Sequence, residues 1–321
     1  MGVVMGIGFD SSNLTWYLPE EKANRLVSRC IDLYNSKLVS LKQMEKVMGS
    51  VNDLAQMAPF VKFYKSSGNE TLRSFKGDYN TFVQVGNKLK SDLLVISKIA
   101  NTARCNMPIP TRPHAGPLTT LTFYSDAAGA SYSMVKGERV YHSNESRGVA
   151  CIGGDNLNSI WIWTRLQWPK EFITSQKDEQ GKSFGSKSTT LECIGLLLPL
   201  ISFPEKVAGR FIKFRIDNAA VSYGWANGHV KFDSSATEVL KAVNIAASYL
   251  GTKIYVEHVP RMSEDLAVLA DKLSRVKCDD RAPSHLYVAP KTDLKKWFKN
   301  PSIYNGLSEL VLNVIKCMCP E

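Results

Sequence analysis

Four prolines, Pro108, Pro110, Pro113 and Pro117, fall within residues 107–117. Proline lacks the backbone N–H and fixes φ, so a stretch this dense in it continues neither a helix nor a central strand. The stretch predicts a linker at 107–117 and cuts the chain into two parts with different periodicity. Two domains also suit 321 residues, a length at which one hydrophobic core stops growing.

Residues 1–106 carry helical spacing and predict a smaller helical domain. Pro19 suits the first turn of a helix running to about residue 37, with Glu20 and Glu21 where the helix dipole favours acids. Ser40 and Gln43 form a capping-box pattern ahead of Leu41, Met44, Val47, Met48 and Val51. Further periodic segments cover 60–75 and 82–103.

Beyond the linker the period changes to two. Over 118–126, Leu121, Phe123 and Ser125 face one way; Thr120, Thr122, Tyr124 and Asp126 face the other. Segments 130–140 and 148–166 predict two more strands, the second bearing Ile160, Trp161, Ile162 and Trp163. A helix follows at 188–203 with Leu191, Ile194, Leu198 and Ile201 on one stripe and a kink at Pro199. A strand at 210–217 turns Ile212, Phe214 and Ile216 inward. Helices at 219–227 and 235–250, a strand at 253–259 and a helix at 263–275 complete the pattern. The last helix carries Leu266, Leu269 and Leu273 at i, i+3 and i+7. The order β-β-β-α-β-α-α-β-α implies an α/β fold: three antiparallel strands, then right-handed crossovers to parallel ones. A five-stranded mixed sheet flanked by helices is expected over 118–280, with a tail at 281–321.

Forty Lys and Arg against thirty Asp and Glu leave a formal charge of +10 and a pI near 9.2. That excess favours a polyanionic partner, nucleic acid before an anionic membrane. No apolar run approaches the ~18 residues of a membrane span, so no membrane association is expected. The seven cysteines show no C-x-x-C pair, and the five histidines are scattered without metal spacing. A reduced, intracellular protein, cytoplasmic or nuclear, is expected. No serine or cysteine triad competes for chemistry.

Four acids remain. Each alone has an ordinary explanation: Asp126 as a turn residue, Glu192 as the partner of Thr189 in a capping box, Asp217 with Asn218 as a helix cap, Asp271 as an i,i+4 partner of Arg275. The case lies in the set. Asp126 and Asp217 end adjacent central strands, where open α/β sheets bind ligands. Glu192 opens the helix between those strands. Asp271 lies off the leucine stripe of its own helix and must use a less apolar face to reach the sheet. If they converge, their mutual repulsion requires cations, and hard oxygen ligands suit Mg²⁺ or Mn²⁺, two ions being the expected number.

These residues sit in motifs that resemble the ribonuclease H domains of reverse-transcribing elements. The matching segments are Tyr124-Ser125-Asp126-Ala127, Leu191-Glu192, Arg215-Ile216-Asp217-Asn218, Glu257-His258-Val259-Pro260 and Ala270-Asp271-Lys272-Leu273-Ser274-Arg275. The closing run and an upstream segment at 9–22 are most similar to tyrosine-recombinase-type (DIRS-like) retrotransposons. In those polyproteins such a segment joins the polymerase palm to the ribonuclease H domain. The resemblance implies a ribonuclease H-like fold behind a thumb- or connection-like segment, with the polymerase part of the same polyprotein as a partner. It implies hydrolysis of the RNA strand of RNA–DNA hybrids, with Asp126, Glu192, Asp217 and Asp271 as catalytic metal ligands and His258 as the loop histidine that aids metal exchange or product release. Three departures stand out: Arg261 occupies a position where glycine is common, sixty-six positions separate Asp126 from Glu192, and no Tyr-x-Asp-Asp polymerase motif occurs.

A hybrid-binding surface needs phosphate contacts on both strands. Candidates are Lys213, Arg215 and Asn218 beside Asp217, and Lys182 and Lys187 in a polar loop. Lys177, Lys88, Lys90 and Arg104 are further cations that could contribute. Rival readings are a catalytically silent nucleic-acid-binding remnant, a transposase or integrase, which would want a final glutamate such as Glu264, and a 3′–5′ exonuclease, which would want an acid two residues after Asp126.

Overall fold

Short runs of β-branched and aromatic residues open the chain as β1 (Gly2–Val4), β2 (Ile7–Asp10) and β3 (Thr15–Tyr17). The computed structural model describes residues 2–4, 7–12, 15–103, 107–108, 120–129, 131–135, 138–142, 147–155, 160–167, 188–231, 233–261, 263–275 and 287–288. They group into two units, drawn mainly from Met1–Arg112 and from Pro113–Val311.

In the first unit, α1 (Glu20–Asn35) follows Pro19 and buries Ala23, Leu26, Cys30 and Leu33 along one stripe. A short strand β4 (Leu38–Ser40) leads to α2 (Leu41–Met57), whose capping box closes on both sides. The Gln43 amide donates to Ser40 Oγ, and the Ser40 amide to Gln43 Oε1 at 2.9 Å. α3 (Ser66–Ser74), β5 (Phe82–Gln84, paired with β4) and α4 (Asn87–Thr102, packed on α1) follow. β6 (Met107–Pro108) joins β1, β2 and β3 in a small antiparallel sheet. The helical expectation for this part therefore needs a sheet added. Strands of two to four residues are too short for their alternation to stand out.

The second unit is built on a mixed sheet. Its strands are β7 (Thr120–Ala127), β10 (Gly148–Asp155), β11 (Ile160–Gln167), β12 (Phe211–Ile216), β13 (Lys253–His258) and β14 (Tyr287–Val288). The order is β13-β12-β7-β10-β11-β14. β10 is antiparallel to β7 and β11, while β12 is parallel to β7 and β13. Five long strands in this order, with the central strand first in sequence, make a ribonuclease H-like sheet. The two-residue β14 adds a sixth at the edge, from a segment expected to be tail.

The second and third long strands differ from expectation. Segment 148–166 is not one strand but the antiparallel pair β10 and β11. The expected strand at 130–140 is instead a separate two-stranded ribbon, β8 (Ser131–Val135) with β9 (Glu138–His142). The break falls after Asp155 and before Ile160, at Asn156, Leu157, Asn158 and Ser159, a stretch rich in turn-forming residues.

Side-chain alternation sets the two faces. Leu121 and Phe123 pair in register with Ile212 and Phe214, and the two phenylalanine rings stack with centroids 5.9 Å apart. All four are buried, each contributing roughly 1.5–3 kcal/mol by leaving water. α5 (Ser188–Ser202), apolar on nearly all sides, packs here and against α8 (Ser234–Tyr249). Between these helices the chain forms α6 (Pro204–Val207), β12 and α7 (Ala219–Asn227). On the other face, Tyr124, Ile152 and Trp163 receive Leu266, Leu269, Ala270 and Leu273 of α9 (Asp265–Arg275).

Gly195 lets α5 approach the sheet. A Cβ there would lie 2.0 Å from Ser125 Oγ and 3.1 Å from Val149 Cγ2. Gly195→Ala is expected to cost about 1–3 kcal/mol through forced shifts of a packed helix. A thermal melt checks it, and an unchanged midpoint would mean that the helix yields freely.

Candidate metal centre

β7 and β12 run parallel and side by side, so their carboxyl ends lie together. Asp126 is the penultimate residue of β7, and Asp217 directly follows β12. α5 begins at Ser188, which puts Glu192 in its second turn, beyond reach of a capping role. Thr189 accordingly forms no capping box with it, while the neighbouring Thr190 donates to Asp233 of the α8 N-terminus. Asp126, Glu192 and Asp217 each offer a carboxylate oxygen within 4.8 Å of the other two.

Asp126 and Glu192 are 4% and 5% exposed. Three ionised carboxylates at this spacing repel by on the order of 3 kcal/mol per pair at an effective dielectric near 20. Burial, more than that repulsion, pushes the Glu192 carboxyl well above the usual carboxylate range; Asp126 and Asp217 push it further, and the Ala127 amide opposes them. Burial likewise raises Asp126, with Asp271 and Asp217 adding to it and a hydrogen bond from Ser274 opposing it.

Glu192 Oε2 is buried with no hydrogen-bond partner. An unpartnered acceptor of this kind, aimed among other acids, is costly unless something positive meets it. An all-oxygen donor set around that orphaned atom fits Mg²⁺ or Mn²⁺.

Asp271 stands outside the trio. Its Oδ1 accepts from Arg275 Nη2 at 2.6 Å and Nε at 3.1 Å, which holds the Asp271 carboxyl below its ordinary range. The same oxygen meets Arg261 Nη2 at 3.1 Å. Arg261 Nε also lies 3.0 Å from Asp217 Oδ2, and its Nη2 lies 3.7 Å from Asp126 Oδ1. The fourth acid is thus joined to the others through a guanidinium.

Two contributors were not legible as site residues. Ser274 Oγ, fully buried, donates to Asp126 Oδ2 at 2.7 Å, with the Asp271 carbonyl also close at 2.8 Å. Its signal was only a small polar residue three positions after Asp271. The other is Arg261, visible in the sequence as a departure from the motif but not as a charge directed at the acids. Ser274→Ala is expected to weaken Mn²⁺ binding by about 10–100-fold, because the hydroxyl orients a ligand and favours its charged form. Calorimetric titration measures this; equal affinity would leave Ser274 a packing residue only.

The remaining candidates are placed as follows. His258 ends β13, exposed and in register with Ile216. Asn218 Oδ1 accepts from the Ala220 amide at the start of α7. Lys213 Nζ lies 2.8 Å from Glu257 Oε2, and Arg215 Nε donates to the same oxygen at 3.0 Å. Arg215 Nη1 also reaches Glu264 at 2.5 Å and Tyr124 Oη at 3.1 Å, and Tyr124 donates to Glu264 as well. Glu264 is therefore engaged away from the acid trio. Lys182 and Lys187, with Lys177 and Arg104, lie outside the described residues.

No known protein family matches the chain, and no curated protein does. Among solved structures, the chain is similar to the N-terminal RNase H domain of a Mycobacterium tuberculosis protein, solved as a fusion with maltose-binding protein. The identity is 15% and the TM-score 0.30, with 48% of this chain and 90% of that one covered. An RNase H of the halophilic archaeon Halobacterium salinarum is similar at 15% identity and a TM-score of 0.28, covering 48% of this chain and 93% of that one.

Proposed function

We propose that the chain is a divalent-metal-dependent nuclease that hydrolyses the RNA strand of RNA–DNA hybrids, as the ribonuclease H part of a retroelement reverse transcriptase polyprotein. The observation that carries the reading is the trio Asp126, Glu192 and Asp217, with an orphaned, buried Glu192 Oε2 at the carboxyl ends of β7 and β12. The order of the motifs along the chain supports the retroelement context, and the formal charge of +10 supports a nucleic-acid substrate. A divalent cation held by these carboxylates supplies Lewis-acid activation of water and of the phosphodiester.

The chain's own residues do the rest. Ser274 fixes the Asp126 carboxylate. Asp271, drawn between Arg261 and Arg275, completes the acidic rim. Burial, and after it the nearby Arg275 charge, disfavour the charged form of Arg147, an arrangement that a phosphate would relieve. Lys213, Arg215 and Asn218, with Lys182 and Lys187, are the proposed further contacts to the hybrid, and His258 is the proposed aid to product release. No helix among the described residues is long and apolar enough to cross a membrane. The described cysteines, Cys30, Cys151 and Cys193, are buried and unpaired, which supports an intracellular setting in cytoplasm or nucleus.

A labelled hybrid, matched duplex DNA and single-stranded RNA, each with Mg²⁺ or Mn²⁺ and then EDTA, test the reading. Hybrid-selective cleavage that EDTA stops is expected. One observation favours a second reading, the silent nucleic-acid-binding remnant: Arg261 already neutralises part of the acidic cluster. Binding of the hybrid without cleavage in either metal would select it, and equal cleavage of DNA ends would select an exonuclease.

A further inference from the structure

Arg261 is not a stray surface side chain, because its loop is pinned at both ends. On one side the Val259 amide donates to the Ile216 carbonyl at 2.8 Å, extending the β12–β13 ladder. On the other, Glu264 is held by Arg215 and Tyr124. Between them the Ser263 amide closes a turn onto the Pro260 carbonyl at 3.1 Å. This frame delivers the guanidinium to three acids from three different elements: Asp217 after β12, Asp271 on α9 and Asp126 on β7. Glu192 feels the Arg261 charge but forms no ion pair with it, and its Oε2 stays buried without a hydrogen-bond partner.

The cluster thus has two unequal halves. We propose that Arg261 is a tethered cation that fills the Asp126–Asp217–Asp271 half, so that one divalent ion binds readily at Asp126–Glu192–Asp217 and a second binds only by displacing the guanidinium. Resting on the metal-nuclease reading, the proposal sets the metal stoichiometry of the site and makes the Arg261 guanidinium its gate. A planar fork carrying one positive charge satisfies carboxylates at several points, but it is bound to the chain and can be outcompeted by a free dication at sufficient concentration. The side chain is 58% exposed, so it has an open path out of the cluster.

The test is Mn²⁺ binding to the full chain, by calorimetry and by the electron paramagnetic resonance signal of free ion, for wild type, Arg261→Gln and Arg261→Lys. Wild type is expected to take one ion and then a second at least tenfold more weakly than Arg261→Gln does. Arg261→Lys, which keeps the charge but cannot fork across three acids, should fall between them. Without metal, Arg261→Gln should melt below wild type, and saturating Mn²⁺ should reverse that order. Identical two-ion isotherms in wild type and Arg261→Gln would overturn the proposal while leaving the metal reading intact. An absence of any divalent binding in all three proteins would overturn both.

Discussion

Asp126→Asn and Asp217→Asn are each expected to lower hybrid cleavage by about 10³-fold or more, while the protein still folds. A loss of that size corresponds to ~4 kcal/mol of transition-state stabilisation, and it follows from removing one anionic oxygen from a centre with few donors. The fold survives for a local reason. In Asp126→Asn the new amide oxygen still accepts from Ser274 Oγ, and the side chain no longer carries a charge that burial disfavours. At position 217 the side chain is less buried, and the replacement loses only its pairing with Arg261. Steady-state cleavage, with a thermal melt of each variant, checks both halves. Turnover within tenfold of wild type would remove these carboxylates from the chemistry.

Glu192→Gln separates stability from function. In the folded protein Glu192 and Asp126 hold protons more tightly than in the unfolded chain. Between the ordinary carboxylate pKa and the raised one, the native state therefore binds more protons, and stability falls as pH rises. The metal-free wild type should accordingly lose stability from about pH 4 upward. The glutamine side chain has no such titration, so Glu192→Gln should match wild type in acid and exceed it by about 1–3 kcal/mol at pH 8. Mn²⁺ should reverse the order, since it stabilises the state in which Glu192 is charged. Melts at several pH values, with and without metal, give the answer. A wild type that gains stability on going from pH 5 to pH 8 without metal would contradict the assigned burial of this carboxyl.

Much of the second unit was legible because its signals are strong and local. Alternation placed β7, β12 and β13 nearly to the residue, and the Leu266, Leu269 and Leu273 stripe placed the buried face of α9. The β10–β11 pair was lost because both strands are apolar enough to read as one run across their turn residues. The small sheet of the first unit was lost because strands of three residues hardly alternate. At the site, all four acids were read as one set, since the order of strands dictates who is adjacent to whom; three of them meet within carboxylate reach, and Asp271 stands apart from them. Its orientation depends on Arg261 and Arg275, and a linear pattern does not show which of two neighbouring charges a flexible carboxylate chooses. Ser274 was invisible for the same reason: a hydroxyl signals its role only when its partner arrives.

That partner arrives from far along the chain. The hydrogen bond from Ser274 to Asp126 joins residues 148 positions apart, and a contact of such long sequence separation must meet a large loop-closure entropy before it forms. A nascent chain can pair β7 with β10 and β12 while α9 is still inside the ribosome. During that interval the acids on the sheet are unshielded, and neither Arg261 nor Ser274 is in place. The Ser274 contact to Asp126 is therefore completed only when one eleven-residue helix docks on the sheet, late in the making of the domain.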